Sequence, residues 1–162
     1  MMKRFRHLKA TICIGIASVL LIIIFVWNLL GLAGEQILLQ ACGNGHLATA
    51  EFLMDNGVSP DARDGWNTSC MFMAAGNGHT DIVGELLGRG IDIDRSYRLN
   101  KTALIVASQA GKVETVSFLL SRDARLGLKD TGGKTAMDHA IEHNYTEVIE
   151  LLKTERSDAT PQ

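Results

Sequence analysis

Ala41-Cys42-Gly43-Asn44-Gly45-His46 and Ala74-Ala75-Gly76-Asn77-Gly78-His79 are one phrase written twice, 33 residues apart. The same step carries Gly45 to Gly78, Gly111 and Asn144, and Ala41 to Ala74, Ala107 and Ala140, without an insertion or deletion. A fixed period of this length predicts a repeat array, in which each unit buries its apolar face only by stacking on its neighbours.

Within each period the local chemistry is that of two short helices. Ser69, Thr102 and Thr135 stand where a hydroxyl can cap a first helix. The alanines at the 33-residue step are small enough to let stacked helices approach. Second helices carry apolar residues at helical spacing: Ile82, Val83, Leu86 and Leu87, then Val116, Leu119 and Leu120, then Val148, Ile149, Leu151 and Leu152. Gly57 and Gly90 are placed to end their helices in the left-handed conformation.

Aligned at the 33-residue step, Gly65-Trp66-Asn67-Thr68-Ser69-Cys70-Met71-Phe72-Met73-Ala74-Ala75 matches the stretch Arg98–Ser108 and the stretch Thr131–Ile141. These units resemble the ankyrin repeat, whose pattern runs Gly-x-Thr-Pro-Leu-His-x-Ala-Ala-x-x-Gly-His and closes with a leucine pair and Gly-Ala-Asp-Val-Asn. The departures are specific. Ile37, Cys70, Ala103 and Ala136 replace the pattern's proline, and Leu39, Phe72, Ile105 and Asp138 replace its first histidine. Asn67 and Asn100 stand at the hairpin glycine position that Gly133 retains, and Asp123 and Gly127 blur the third closing segment. The resemblance implies an all-α ankyrin-repeat solenoid of stacked helix-turn-helix units joined by β-hairpin loops, with repeats at 34–64, 65–97, 98–130 and 131–157. The first lacks a hairpin of its own and reads as a terminal cap.

Outward from the repeats, residues 1–10 form a basic tail with Lys3, Arg4, Arg6 and Lys9, and residues 11–33 an uncharged apolar run. Thr11–Leu30 holds 20 residues, enough to span a hydrocarbon core as one transmembrane helix, with Trp27 near its far end. The basic tail predicts a cytoplasmic N-terminus and extracytoplasmic repeats, periplasmic or extracellular. Cleavage as a signal peptide after Ala33 is the alternative, giving a soluble periplasmic or secreted binding or protective protein; the apolar run exceeds the usual length of such a leader's core. Residues 158–162 read as a polar tail.

Four of the 16 Lys and Arg residues precede Ala10, whereas all 18 acidic residues lie at Glu35 or beyond. The repeats are therefore net acidic, which excludes a nucleic-acid footprint. Cys13, Cys42 and Cys70 have no metal or framework spacing, and the repeat register sets Cys42 and Cys70 near opposite ends of adjacent helices. Both read as small buried residues, with no disulfide expected.

His139-Ala140-Ile141-Glu142-His143 matches H-x-x-E-H, in which helical histidines bind zinc. The same five residues form a first helix with Ala140 in register and no third ligand in view, so the expectation is neither metal site nor enzyme. His46 and His79 belong to the repeat phrase and read as structural. No nucleophile elbow, phosphate loop or cofactor motif is present in the sequence, and no small-molecule substrate is implied. The three sequons beginning at Asn67, Asn100 and Asn144 arise where Asn replaces a family glycine.

What remains is surface. The resemblance places hairpin tips and the exposed side of the first helices on a concave face that binds a partner protein. It assigns to that face Trp66, Thr68, Asn77, Arg98, Leu99, Lys101, Gln109, Lys134, Glu142 and His143, with Tyr97 beside them. Aromatic and Arg anchors dominate interfaces, which singles out Trp66 and Arg98.

Overall fold

In the computed structural model, residue 31 and residues 33–158 are described, and the repeats form a compact unit that begins at Glu35. The basic tail, most of the expected membrane helix and the end of the polar tail lie outside the described residues. No helix among the described residues is long and apolar enough to cross a membrane.

Helical backbone over 35–44 (α1) is followed by α2 (Leu47–Asp55), α3 (Cys70–Asn77), α4 (Thr80–Gly88), α5 (Ala103–Gln109), α6 (Val113–Leu120), α7 (Ala136–Glu142) and α8 (Thr146–Asp158). First helices stack as α3, α5 and α7; second helices stack behind them as α2, α4, α6 and α8. Each first helix from α3 onward starts on the expected hydroxyl. Ser69 accepts from the Phe72 N–H, Thr102 from Ile105 and Thr135 from Asp138. At Thr135 the cap is reciprocal, because Asp138, standing where the family has histidine, accepts from the Thr135 N–H at 2.8 Å.

The core lies between the two layers. Ala74, Ala107 and Ala140 are fully buried, as are Ile82, Val83, Leu86, Val116, Leu119 and Val148. Burying a Leu or Ile side chain stabilises by about 1.5–3 kcal/mol, and Met71, Leu104 and Ile105 of the first helices are as deeply buried as the second-helix stripe, so both layers hold the array together. Among the described residues, ten of the eleven with positive φ fall into three 33-residue series: 45/78/111/144, 57/90/123 and 67/100/133. Asp123 therefore keeps the left-handed turn of Gly57 and Gly90 in the segment where the sequence pattern blurs. The eleventh, Leu99, has no counterpart in the series.

Two expectations need correcting. The loops are tight turns rather than β-hairpins: among the described residues the extended pairing is a single antiparallel bridge, Arg63 with Ser69. Cys42 and Cys70 form a disulfide. Repeat register alone sets them five residues apart along stacked helices, an offset of about 7.5 Å at 1.5 Å per residue. The Cα atoms are 5.2 Å apart. Leu38 and Cys42 share one face of α1, one turn apart, and Cys70 lies against that face with its Sγ 3.5 Å from the Leu38 carbonyl oxygen.

The first repeat is further tied by Asn77 and His79, whose Nδ2 and Nε2 reach the Gly43 carbonyl at 2.8 and 3.1 Å. The His79 ring thus bonds across repeats. A Cβ on Gly45 would fall 2.7 Å from its ring, which is why this phrase needs glycine there.

Candidate functional site

Three turns at the 33-residue step form a row of tips. In each, the first residue's N–H donates to the carbonyl four residues on, and its carbonyl accepts from the residue three on: Asp64 with Thr68 and Asn67, Tyr97 with Lys101 and Asn100, Asp130 with Lys134 and Gly133. The Asp64 carboxylate also accepts from the Trp66 and Thr68 N–H groups at 2.9 and 2.8 Å. Asp130 does the same for Gly132 and Lys134 at 2.8 and 3.0 Å. Burial pushes both carboxyl pKa values up, but these backbone donors, joined by Arg98 at Asp64 and by His139 at Asp130, hold them below the ordinary value.

Tyr97 has no carboxylate to offer. The Lys101 N–H turns instead to the Arg98 carbonyl at 3.2 Å, tightening the tip into the 3₁₀ turn Arg98–Asn100. Leu99 is driven to φ 57°, beside Asn100 at φ 56°. For a leucine, that conformation costs about 1–2 kcal/mol.

The tips are stitched into one edge. The Arg98 N–H donates to the Asn67 carbonyl at 3.1 Å and the Thr131 N–H to the Leu99 carbonyl at 2.9 Å. Arg98 stacks on Trp66, with Cζ 5.9 Å from the ring centre. Trp66 is 73% exposed and Leu99, next to Arg98 on its tip, 57% exposed, so the Trp66–Arg98 stack and the neighbouring leucine all face solvent. A groove of about 440 Å³ opens at the Asp64–Thr68 turn, lined also by Gln36, Ile37, Leu39, Gln40 and Met73.

Other residues assigned to this face behave differently. Tyr97 is buried, 3% exposed, with Arg63 over its ring at 5.1 Å, and burial raises its pKa. It belongs to the core because the tip needs a filler where Asp64 and Asp130 need none. Thr68 and Lys101 are buried as well. The Lys101 ammonium donates to Gln109 Oε1, and one repeat on the Lys134 ammonium donates to Glu142 Oε2 at 2.7 Å. That contact raises the Lys134 pKa and lowers that of Glu142. Asn77 is exposed, with its amide committed to Gly43, and exposed His143 sits 5.7 Å from the Tyr145 ring. The structure thus gathers Trp66, Arg98 and Leu99 into one group and Lys134, Glu142 and His143 into another.

Family models for ankyrin repeats match the chain twice, a three-copy model over residues 71–162 and a many-copy model over 38–84. The chain belongs to the ankyrin-repeat family. No individually curated protein matches it. Ankyrin repeats are protein–protein interaction modules and generally non-catalytic, which directs attention to the exposed tips rather than to a cleft. Sequence reasoning missed the aspartates that set the tips. Their signal was present, since Asp64 and Asp130 stand two periods apart with Tyr97 between them.

Proposed function

We propose that this ankyrin protein is a membrane-tethered, non-catalytic module that captures a partner protein at the extracytoplasmic surface through the Trp66–Arg98–Leu99 patch. The carrying observation is Leu99, an apolar residue held strained and exposed at a tip beside Arg98 stacked on Trp66. Backbone strain persists where function uses it, and exposed aromatic and Arg side chains are the usual anchors of an interface. The membrane tether rests on the uncharged run over 11–33 and its basic flank. The Cys42–Cys70 disulfide supports the extracytoplasmic side independently, because such bonds persist in oxidising compartments.

A photo-crosslinking residue at position 66, introduced in the native membrane, should give an adduct that the same residue at exposed Lys153 does not. Adducts at 153 alone would move the partner to the other side. For the tether, the full-length chain should sediment with membranes and Cys42 and Cys70 should be recovered oxidised from acid-quenched cells. A soluble chain starting after Ala33 would establish the released form instead, and free thiols would reverse the topology.

A further inference from the structure

His139 carries a buried ring nitrogen that the stacking of the repeats leaves unused. Its ring is 6% exposed, and Nε2 lies 2.8 Å from Oδ2 of Asp130, a carboxylate that is itself 7% exposed. The other Asp130 oxygen accepts from the Gly132 and Lys134 backbone N–H groups, which orients the carboxylate toward the ring. A carboxylate oxygen facing Nε2 accepts a hydrogen bond from that nitrogen, and in the neutral ring the lone pair then falls on Nδ1. That Nδ1 is buried and has no hydrogen-bond partner. A buried acceptor left empty costs about 1–3 kcal/mol.

The space beside Nδ1 holds two more ligand atoms. Glu142 Oε2 is 3.8 Å from it, and the ligand atoms of His139, Glu142 and His143 all lie within 4.8 Å of one another. Positions i, i+3 and i+4 share one face of α7 and its cap, so one centre can reach all three. Zinc bonds of about 2.0–2.2 Å put tetrahedral ligands about 3.3 Å apart. Glu142 and His143 are exposed, and the inward movement required is within their side-chain freedom. The ion pair holding Glu142, to Lys134 at 2.7 Å, is half-exposed and weak enough to exchange.

We propose that His139 Nδ1, Glu142 and His143 form a divalent transition-metal site, suited to zinc, with Asp130 as the carboxylate that orients its buried ligand. Two imidazoles and one carboxylate are the donor set that borderline cations such as zinc prefer, and a carboxylate behind a ligating histidine is the usual outer partner. The ion would fasten α7 to the 130–134 tip through Asp130, leaving a coordination position toward solvent. Binding alone is proposed, with no hydrolysis, since Glu142 is used as a ligand. The site stands or falls apart from the Trp66 patch.

The test uses the full-length chain, purified in detergent without an affinity tag, titrated with ZnCl₂ by calorimetry and with CoCl₂ by visible absorption. One equivalent should bind, with the intense bands of low-coordinate cobalt and a raised melting temperature. Glu142→Gln and His143→Ala change exposed side chains and should fold normally, yet each should weaken binding at least tenfold. Asp130→Asn should weaken it by about 10–100-fold, the usual cost of losing an outer-shell partner. Zinc bound with the same affinity by Glu142→Gln and His143→Ala would place the metal elsewhere, for instance at His46 or His79, and overturn the proposal. Absence of binding to the wild-type chain would overturn it as well.

Discussion

The tips at Asp64 and Asp130 and the tip between them at Tyr97 occupy the same place in the repeat and are built differently. In the outer two, one carboxylate oxygen gathers two backbone N–H groups and the turn needs a single left-handed residue, Asn67 or Gly133. In the middle one, a buried ring replaces the carboxylate, and two consecutive left-handed residues are needed to close the turn. An Asp tip is held by polarity within the loop, a Tyr tip by the body beneath it. The second can therefore bear strain in its exposed residues, and it is there that Arg98 and Leu99 stand.

The largest test of this contrast is Tyr97→Ala. Truncating a buried aromatic side chain costs about 3–5 kcal/mol, so a loss near the lower end is expected in denaturant melts. A loss under about 1 kcal/mol would mean that the ring is not what supports the middle tip.

Asp64→Ala should cost less, about 2 kcal/mol, because it removes two charge-assisted contacts from a half-exposed loop. Its signature is pH. Burial raises the Asp64 pKa, but the Thr68 and Trp66 N–H groups, the Thr68 hydroxyl and the Arg98 charge together outweigh it, giving a net depression. A depressed folded pKa gives stability that is fully present above the unfolded Asp value, about 3.9, and is lost as pH falls through the folded value. The stability gap between wild type and Asp64→Ala should therefore be flat near neutrality and close below about pH 4. A gap that persists unchanged into acid would detach the carboxylate's charge from the turn.

The fold was legible because it is written redundantly. The alanines, cap hydroxyls and left-handed residues each recur at the same step, and any one series would have set the register. Asp123 shows the limit of residue identity: a blurred pattern still made the turn, because Asp tolerates the left-handed region. The surface was only half legible. Trp66, Arg98 and Leu99 are exposed as expected, but Tyr97 next to them is core, since no period says which of two adjacent tip residues turns inward. The Cys42–Cys70 bond and the His139–Asp130 pair escaped for a common reason. Both join residues at different positions of the repeat, and a pattern read by register sees only equivalent ones.

Leu99→Gly should act in the opposite direction from the first two variants. Removing the side chain relieves about 1–2 kcal/mol of left-handed strain, against about 0.5–1 kcal/mol of added backbone freedom in the unfolded chain. A net gain of up to about 1 kcal/mol, a few degrees in melting temperature, is expected. Loss of stability instead would show that the isobutyl group packs, and the strain would no longer point to binding.

The smallest expected effect on stability belongs to Trp66→Ala combined with Arg98→Ala, and it is the variant that decides what the middle tip is for. Trp66 is 73% exposed, and its contact with Arg98 lies in water, where a cation–π pair contributes about 0.5–1 kcal/mol. The Arg98 N–H bond to Asn67 is main chain and survives both truncations. Circular dichroism and melting should hence change little. Truncating an interfacial Trp or Arg commonly removes about 2 kcal/mol or more of binding energy, roughly thirtyfold in affinity, so photo-adduct formation from a neighbouring position such as Gly65 should collapse. Adducts formed at undiminished yield by a folded double variant would show that the strained tip is a passive consequence of Tyr97. The capture surface would then have to be sought at the second exposed group, around Lys134, Glu142 and His143.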